Sequence, residues 1–449
     1  MSAALRRLAM VLVLTGMVAG PAVSQDASPA FKFQLDLGLG VQSFNEIDPY
    51  TGTPTTTYQS IGLSPDFSFG SFGIGLDLTL NYRFAGPGNT FMVRQADWVP
   101  DQPTIQGILA LYLPKIAYVR WGKKGDPLYV KLGSFSDATL GDGFIMGDYS
   151  NRLFLPGEHH FGLQADLDGS LFRFPYLGFE SAIGNLAQFD VMGARLYARP
   201  FASLTVPIVS RLEVGATIAV DTNPYFEAPP PVDASMTASP VAVFGGDLQL
   251  PILDVKDVVS LVTFTDVASI QGRSWGGALG ARGKVIDIFT YGAQVRLLGQ
   301  NFIPVYFGPT YDLLRGQQYL IVQSDSLYTP LLLGWLLSLG TSVLGDQFVF
   351  NVSVDGPFVP LATDPTGLLS LPHLRAILSL ADRAVPVVSF DLSYDKKGLG
   401  TWADFLSGDN AAFQARVNFR TGPAVISFFY QVAAGQAPTS GLQTSISLF

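Results

Sequence analysis

The feature that most constrains this chain is strict alternation of apolar and polar residues over unusually long stretches. Phe31, Phe33, Leu35, Leu37, Leu39 and Val41 are separated by Lys32, Gln34, Asp36, Gly38, Gly40 and Gln42. The same rhythm runs through residues 72–83, 211–221, 388–395 and 413–420. A period of two sorts side chains onto the two faces of an extended strand, so each stretch has one apolar and one polar face. Several stretches run nine to thirteen residues. Strands of soluble domains are usually about five or six residues long, and about 9–11 are needed for a tilted strand to cross a bilayer.

The connections carry a second rhythm. Those near Trp121–Asp126, Leu344–Asp346 and Arg420–Pro423 are tight, whereas 134–160, 221–240 and 298–329 are each about twenty residues or longer. Short turns at one end and long loops at the other suit a membrane barrel. The uncharged run from Ser326 to Gly345 is long enough for a membrane helix. However, Leu331, Leu333, Trp335, Leu337 and Leu339 take odd positions, and Gly334, Ser338, Gly340 and Ser342 take even ones. That sorting predicts a strand of a hairpin, with Leu332 and Leu336 turned toward a lumen or a plug.

Composition agrees. The 449 residues include 31 Asp but 5 Glu and 9 Lys, with 47 Gly and 30 Pro, a bias toward turns and strands rather than exposed helix faces. Only 14% are charged and acids exceed bases 36 to 27, which argues against a nucleic-acid-binding or disordered chain. The absence of cysteine removes disulfides, thiolate metal sites and a cysteine nucleophile. Arg6 and Arg7, the apolar stretch Leu8–Ala19 and the small residues Ala22-Val23-Ser24 predict a leader over 1–24, cleaved on export, with the barrel over 25–449. The pattern predicts an all-β fold, a single antiparallel transmembrane barrel of about twenty strands (range 16–20). The segment 106–120 is read as one of them. An even count places both termini on the side of the short turns.

With these features and its terminal Phe449, the chain resembles bacterial outer-membrane β-barrels of the porin type. The resemblance is to an architecture and spans the whole mature chain. It implies location in the outer membrane, contact with lipid, and recognition of the last strand by the barrel-assembly machinery. The usual apolar residues two and four positions before the end are replaced here by Ser447 and Ser445.

Function is read from the polar faces. If the apolar positions meet lipid, Lys32, Asp36, Asp77, Arg83, Arg211, Glu213, Arg296, Arg375, Asp391, Arg416 and Arg420 line a lumen. Asp137, Asp142, Asp148 and Glu158 belong to the long loop 134–160, which, folded inward, would set acids against a basic wall across a constriction. The expected function is a channel for small polar solutes, without cofactor, metal or nucleic-acid partner. Oligomeric state and solute are left open. One alternative is a non-conducting binding barrel or a carrier of hydrophobic substrates, occluded by loops such as Phe302-Ile303-Pro304-Val305-Tyr306-Phe307. A hydrolase using His159, His160 or His373 is the weakest reading, because no triad can be assembled from the sequence.

Overall fold

The computed structural model describes residues 31–44, 46–152, 160–226, 237–255, 258–286, 288–324, 330–343, 348–359, 372–380, 385, 387–422, 424–433 and 438–447. The expected leader, Glu158, His159, the turn at 344–346 and Phe449 lie outside them. The strands are β1 Lys32–Phe44, β2 Thr56–Phe69, β3 Phe72–Leu76, β4 Leu78–Ala85, β5 Thr90–Val93, β6 Ile116–Trp121, β7 Leu128–Gly133 and β8 Gly162–Asp168. They continue as β9 Leu177–Ile183, β10 Val191–Ala198, β11 Glu213–Asp221, β12 Val241–Val255, β13 Val259–Ile270, β14 Ser274–Val285 and β15 Phe289–Leu298. The last are β16 Leu332–Val343, β17 Phe348–Pro357, β18 His373–Leu380, β19 Val388–Lys396, β20 Ala411–Thr421, β21 Ala424–Ala433 and β22 Thr439–Ser447. Among the described residues two α-helices interrupt them, α1 Ile105–Tyr112 and α2 Tyr311–Gln323.

These segments make twenty staves, a stave being one crossing of the wall. Strands β3 and β4 form a single stave, since both pair with β2, as in Asp66 opposite Gly75 and Gln59 opposite Tyr82. The next stave is split in the same way, β5 lying on β4 and β6 on β3. Every other neighbour in sequence is an antiparallel neighbour in space, and β22 returns to β1 with Asp36 opposite Ser447. The wall therefore closes and no sheet edge is left open, the condition for β-structure to span a membrane. Among the described residues no helix is long and apolar enough to cross one. Within the 326–345 run, Leu332–Val343 is strand, β16 pairing with β17 from Gly334–Pro357 to Val343–Phe348.

One expected strand is only partly there. Residues 106–120 give α1 and a 3-10 turn before the short β6 begins at Ile116. Thr104 caps α1, its side chain accepting from the Gly107 amide at 3.1 Å, and Pro114 ends the segment.

Alternation works as expected across the wall. Leu39, Val41, Leu333, Leu337, Leu339, Phe428 and Leu442 are exposed on the outside. Left in water they would form a continuous bare apolar band, so this face meets hydrocarbon. Both described chain ends lie at the end of the barrel with the short turns.

Candidate transport lumen

The lumen is divided into two unlike halves. Long loops from the other end turn inward and pack on the inner faces of β8–β15. The first, after β7, forms an antiparallel bridge between Ala138 and Tyr149. Its tip lies against residues 303–307 of the loop after β15. The Val305 amide donates to Phe144 O at 2.9 Å, Phe307 to Ile145 O at 3.1 Å, and Gly147 to Phe307 O at 3.2 Å. Met146, Tyr306 and Phe307 are fully buried, and Phe144 stacks on Phe302 at 5.6 Å. The result is an apolar core inside the barrel, which we call the plug. Wall residues beneath it are apolar on their inward face too: Val191, Ala219, Val241, Val243, Ala268 and Ile270 are buried in the same cluster. Glycine lets it approach. A Cβ at Gly193 would stand 2.8 Å from Leu140 Cδ1, and one at Gly276 2.5 Å from the Phe302 ring.

Buried charges hold the plug in place. Arg315 of α2 donates to Asp190 at 2.9 Å, to Asp221 at 2.7 Å and to Asn223 O at 3.1 Å. Tyr311 donates to Asp221 at 2.7 Å, and Tyr149 donates to Asp312 at 3.1 Å. Burial pushes the Asp312 carboxyl up to about 7, against the pull of Arg315. On the first loop, the Gly141 amide donates to Glu180 at 2.9 Å, and Arg282 holds Asp142 at 2.7 Å. Lys124 and Gln164 hold Asp137, at 3.5 and 3.2 Å, and Arg375 pairs with Asp148. The loop is thus strapped to the wall on both sides.

The expected lumen residues fall into three groups. Glu213 and Arg296 lie in the packed half, closed into wall pairs. Glu213 serves Arg195 at 2.8 Å and Arg199 at 3.2 Å, with Arg195 also on Asp247 at 2.6 Å, while Arg296 is buried on Asp355 at 3.1 Å. Arg83 pairs with Asp48 at 2.9 Å at the long-loop rim, Arg211 pairs with Asp254 at 3.3 Å at the other rim, and Lys32 is exposed at the start of β1. The remainder occupies the open half, formed by β18–β22 and β1–β4. There Asp391 and Arg416 stand opposite each other in register, and both are exposed. Ser379 donates to Asp391 at 2.5 Å, Gln34 to Asp36 at 2.8 Å, and Thr79 to Asp77 at 2.6 Å. Arg420 is half-buried on the same face of β20. Among the described residues Arg416 makes no ion pair. Arg152, on the first loop, is exposed within electrostatic reach of Arg416 and Asp391. Of the loop acids, Asp142 is buried under the plug, while Asp148 is half-exposed beside Arg375.

Arg195, Arg282 and Arg315 were not among the residues expected from sequence. The first two share the inward parity of their strands, a signal present in the alternation, whereas Arg315 lies on a helix the strand pattern does not reveal. His373 bridges Asp355 at 2.9 Å and Asp395 at 3.1 Å, and His160 is buried near Asp312. Among the described residues no cluster of His, Asp and Glu is arranged to hold a metal.

A closed antiparallel barrel of twenty staves, apolar outside, with long loops at one end and one of them bent across the lumen, is a porin-type barrel. No family model matches the chain and no curated protein matches it. Among solved structures it is similar to the outer membrane protein OprD from Pseudomonas aeruginosa, at 11% identity over 92% of each chain with a TM-score of 0.33. It is also similar to OccK5 (OpdH) from Pseudomonas aeruginosa, at 10% identity over 93% of this chain and 97% of that one, TM-score 0.35. A third is OccAB4 from Acinetobacter baumannii, at 10% identity over 94% of this chain and 98% of that one, TM-score 0.32.

Proposed function

We propose that the protein is an outer-membrane channel for small polar solutes, exported by cleavage of residues 1–24 and assembled through its last strand. The carrying observation is the contrast between the two halves of the lumen. Inward residues beneath the plug are buried, while Asp391 and Arg416 on the opposite wall are bare. A solute path therefore runs between the first loop and β18–β22. Arg152 faces it from the loop, and Arg375 and Arg416 face it from the wall, with Gln414 and Asn418 able to hydrogen-bond a passing solute. Guanidinium groups close to the path outweigh the net negative charge of the chain, since charges beyond about a Debye length (~10 Å) are screened. Anions or anionic groups are favoured.

The test is the reversal potential of the purified protein in planar bilayers under a salt gradient. Replacing Arg375 and Arg416 by Gln should move it toward cation preference. A wild-type channel that already prefers cations would transfer control to Asp148 and Asp391. Absence of conductance favours a second reading, supported by the apolar core within the lumen: an occluded binding barrel.

A further inference from the structure

The wall is not of even height. Strands β7, β8 and β9 have 6, 7 and 7 residues, and β6, the lower half of the split fourth stave, has 6, whereas β2 has 14 and β12 has 15. With a rise of about 3.4 Å per residue and a tilt of about 40°, seven residues reach only ~18 Å against an apolar band of ~25 Å. Strands alone leave this side of the barrel short. Beside it the chain carries α1, inserted where the fourth stave is interrupted between β5 and β6. From Gln102 to Pro114 there is no charged residue. Ile105 is 79% exposed, Ile108, Leu109, Tyr112 and the nearby Val99 are exposed, and no residue of α1 is buried. The helix reaches across to the top of the low wall, where Gln106 hydrogen-bonds Gln188 beside the exposed Phe189. At the foot of β8 and β9 Phe172 and Phe174 are exposed, and so are Leu204 and Val206 between the neighbouring β10 and β11.

An eight-residue helix is marginal in water, and one in which every residue except Gln106 and Gly107 is apolar or aromatic and none is buried belongs in an apolar phase. We propose that α1 lies in the hydrocarbon of the membrane leaflet on the long-loop side, completing the apolar belt above β6–β9. Its occupant is lipid acyl chain. Continuity supports this: the exposed Phe189 lies in the connection that follows the short β9, and α1 is tied to that connection through Gln106 and Gln188. The inference rests on the membrane-spanning reading of the barrel.

The chain has no cysteine, so single labels are unambiguous. Ile105→Cys and Ile108→Cys, in the full-length protein reconstituted into phosphatidylcholine vesicles, are labelled with an environment-sensitive fluorophore. Leu337→Cys serves as the wall control and Leu406→Cys, exposed in the loop after β19, as the water control. Spin-labelled lipid should quench positions 105 and 108 as it quenches 337, by a factor of roughly two or more, and aqueous iodide should quench only 406. Iodide quenching at 105 and 108 like that at 406 would place α1 in water, in the lumen or above the membrane, and overturn the proposal. Protection from both quenchers would also overturn it, pointing to cover by protein such as a second copy, which cross-linking at 105 would then report. Loss of lipid quenching at 337 would instead mark failure of the membrane reading itself.

Discussion

The two halves of the lumen use the same strand grammar to opposite ends. Under the plug, the inward positions of β10–β13 are mostly apolar or are charges closed into pairs, such as Arg195 with Asp247, Glu213 and Glu180; the buried Asp266 of β13 is in no ion pair among the described residues. On β18–β22 they include serines, glutamines, asparagines and arginines together with His373, Asp391 and Asp395, several of them open to the lumen. The outer faces do not differ in kind, because lipid makes the same demand all round. What differs is the inner solvent: protein on one side, water on the other. A charge desolvated under the plug gains most from a partner, as Arg195 and Arg315 do, whereas Arg416, exposed and in no ion pair among the described residues, keeps its hydration.

The largest expected effect follows from that difference. Arg315→Ala leaves Asp190 and Asp221 buried without their cation, a loss of about 3–5 kcal/mol. Hydrogen exchange in 311–323 should accelerate by about two to three orders of magnitude while the strands stay protected. Arg416→Ala in the open half should leave exchange unchanged to within about 0.5 kcal/mol. Similar losses from both would mean that the halves are not distinct.

A smaller effect tests the wall that both halves share. Leu337→Arg places a charge in hydrocarbon and should cost about 2–4 kcal/mol near the bilayer midplane, read from denaturant unfolding in lipid. Ser338→Arg, one residue on and facing inward, should be tolerated. Equal damage would contradict the assigned parity.

The smallest effect is a dependence on pH. The Asp312 carboxyl, held up to about 7 in the folded protein against an ordinary value of 3.8, binds its proton more tightly when the plug is docked. Its contribution to docking is full below the unfolded value and is lost as pH rises through about 7. Exchange in 311–323 should therefore slow between pH 8 and pH 5 after correction for the intrinsic rate, and Asp312→Asn should flatten that change.

How much of this was legible in the sequence follows from which contacts are local. Stave number, order and inward parity are read from alternation, because each outward residue answers to lipid alone. The stretch 105–113 misleads because its apolar residues fit a strand on odd positions, yet Ile105, Ile108, Leu109 and Tyr112 equally fit a helix, and the Thr104 cap with Pro114 decides. The four-residue β5 is too short to show a period. Partners in the lumen were not legible: Arg375 meets Asp148 across 227 positions, and Arg296 meets Asp355 across 59. The plug left one trace, apolar residues on both faces at Val191, Val241, Val243 and Ile270. A strand facing lipid on one side and water on the other has no reason to carry them.

Chemical blockage of the proposed solute path, beside the plug along β18–β22, separates it from a path through the plug. Gln414→Cys places a thiol in the open half and Thr217→Cys places one under the plug, in a chain with no other cysteine. With each variant conducting in a planar bilayer, a charged methanethiosulfonate reagent is added. A stepwise fall in single-channel current is expected at position 414 and none at 217. A fall at 217 with none at 414 would put the path through the plug and contradict the proposed path.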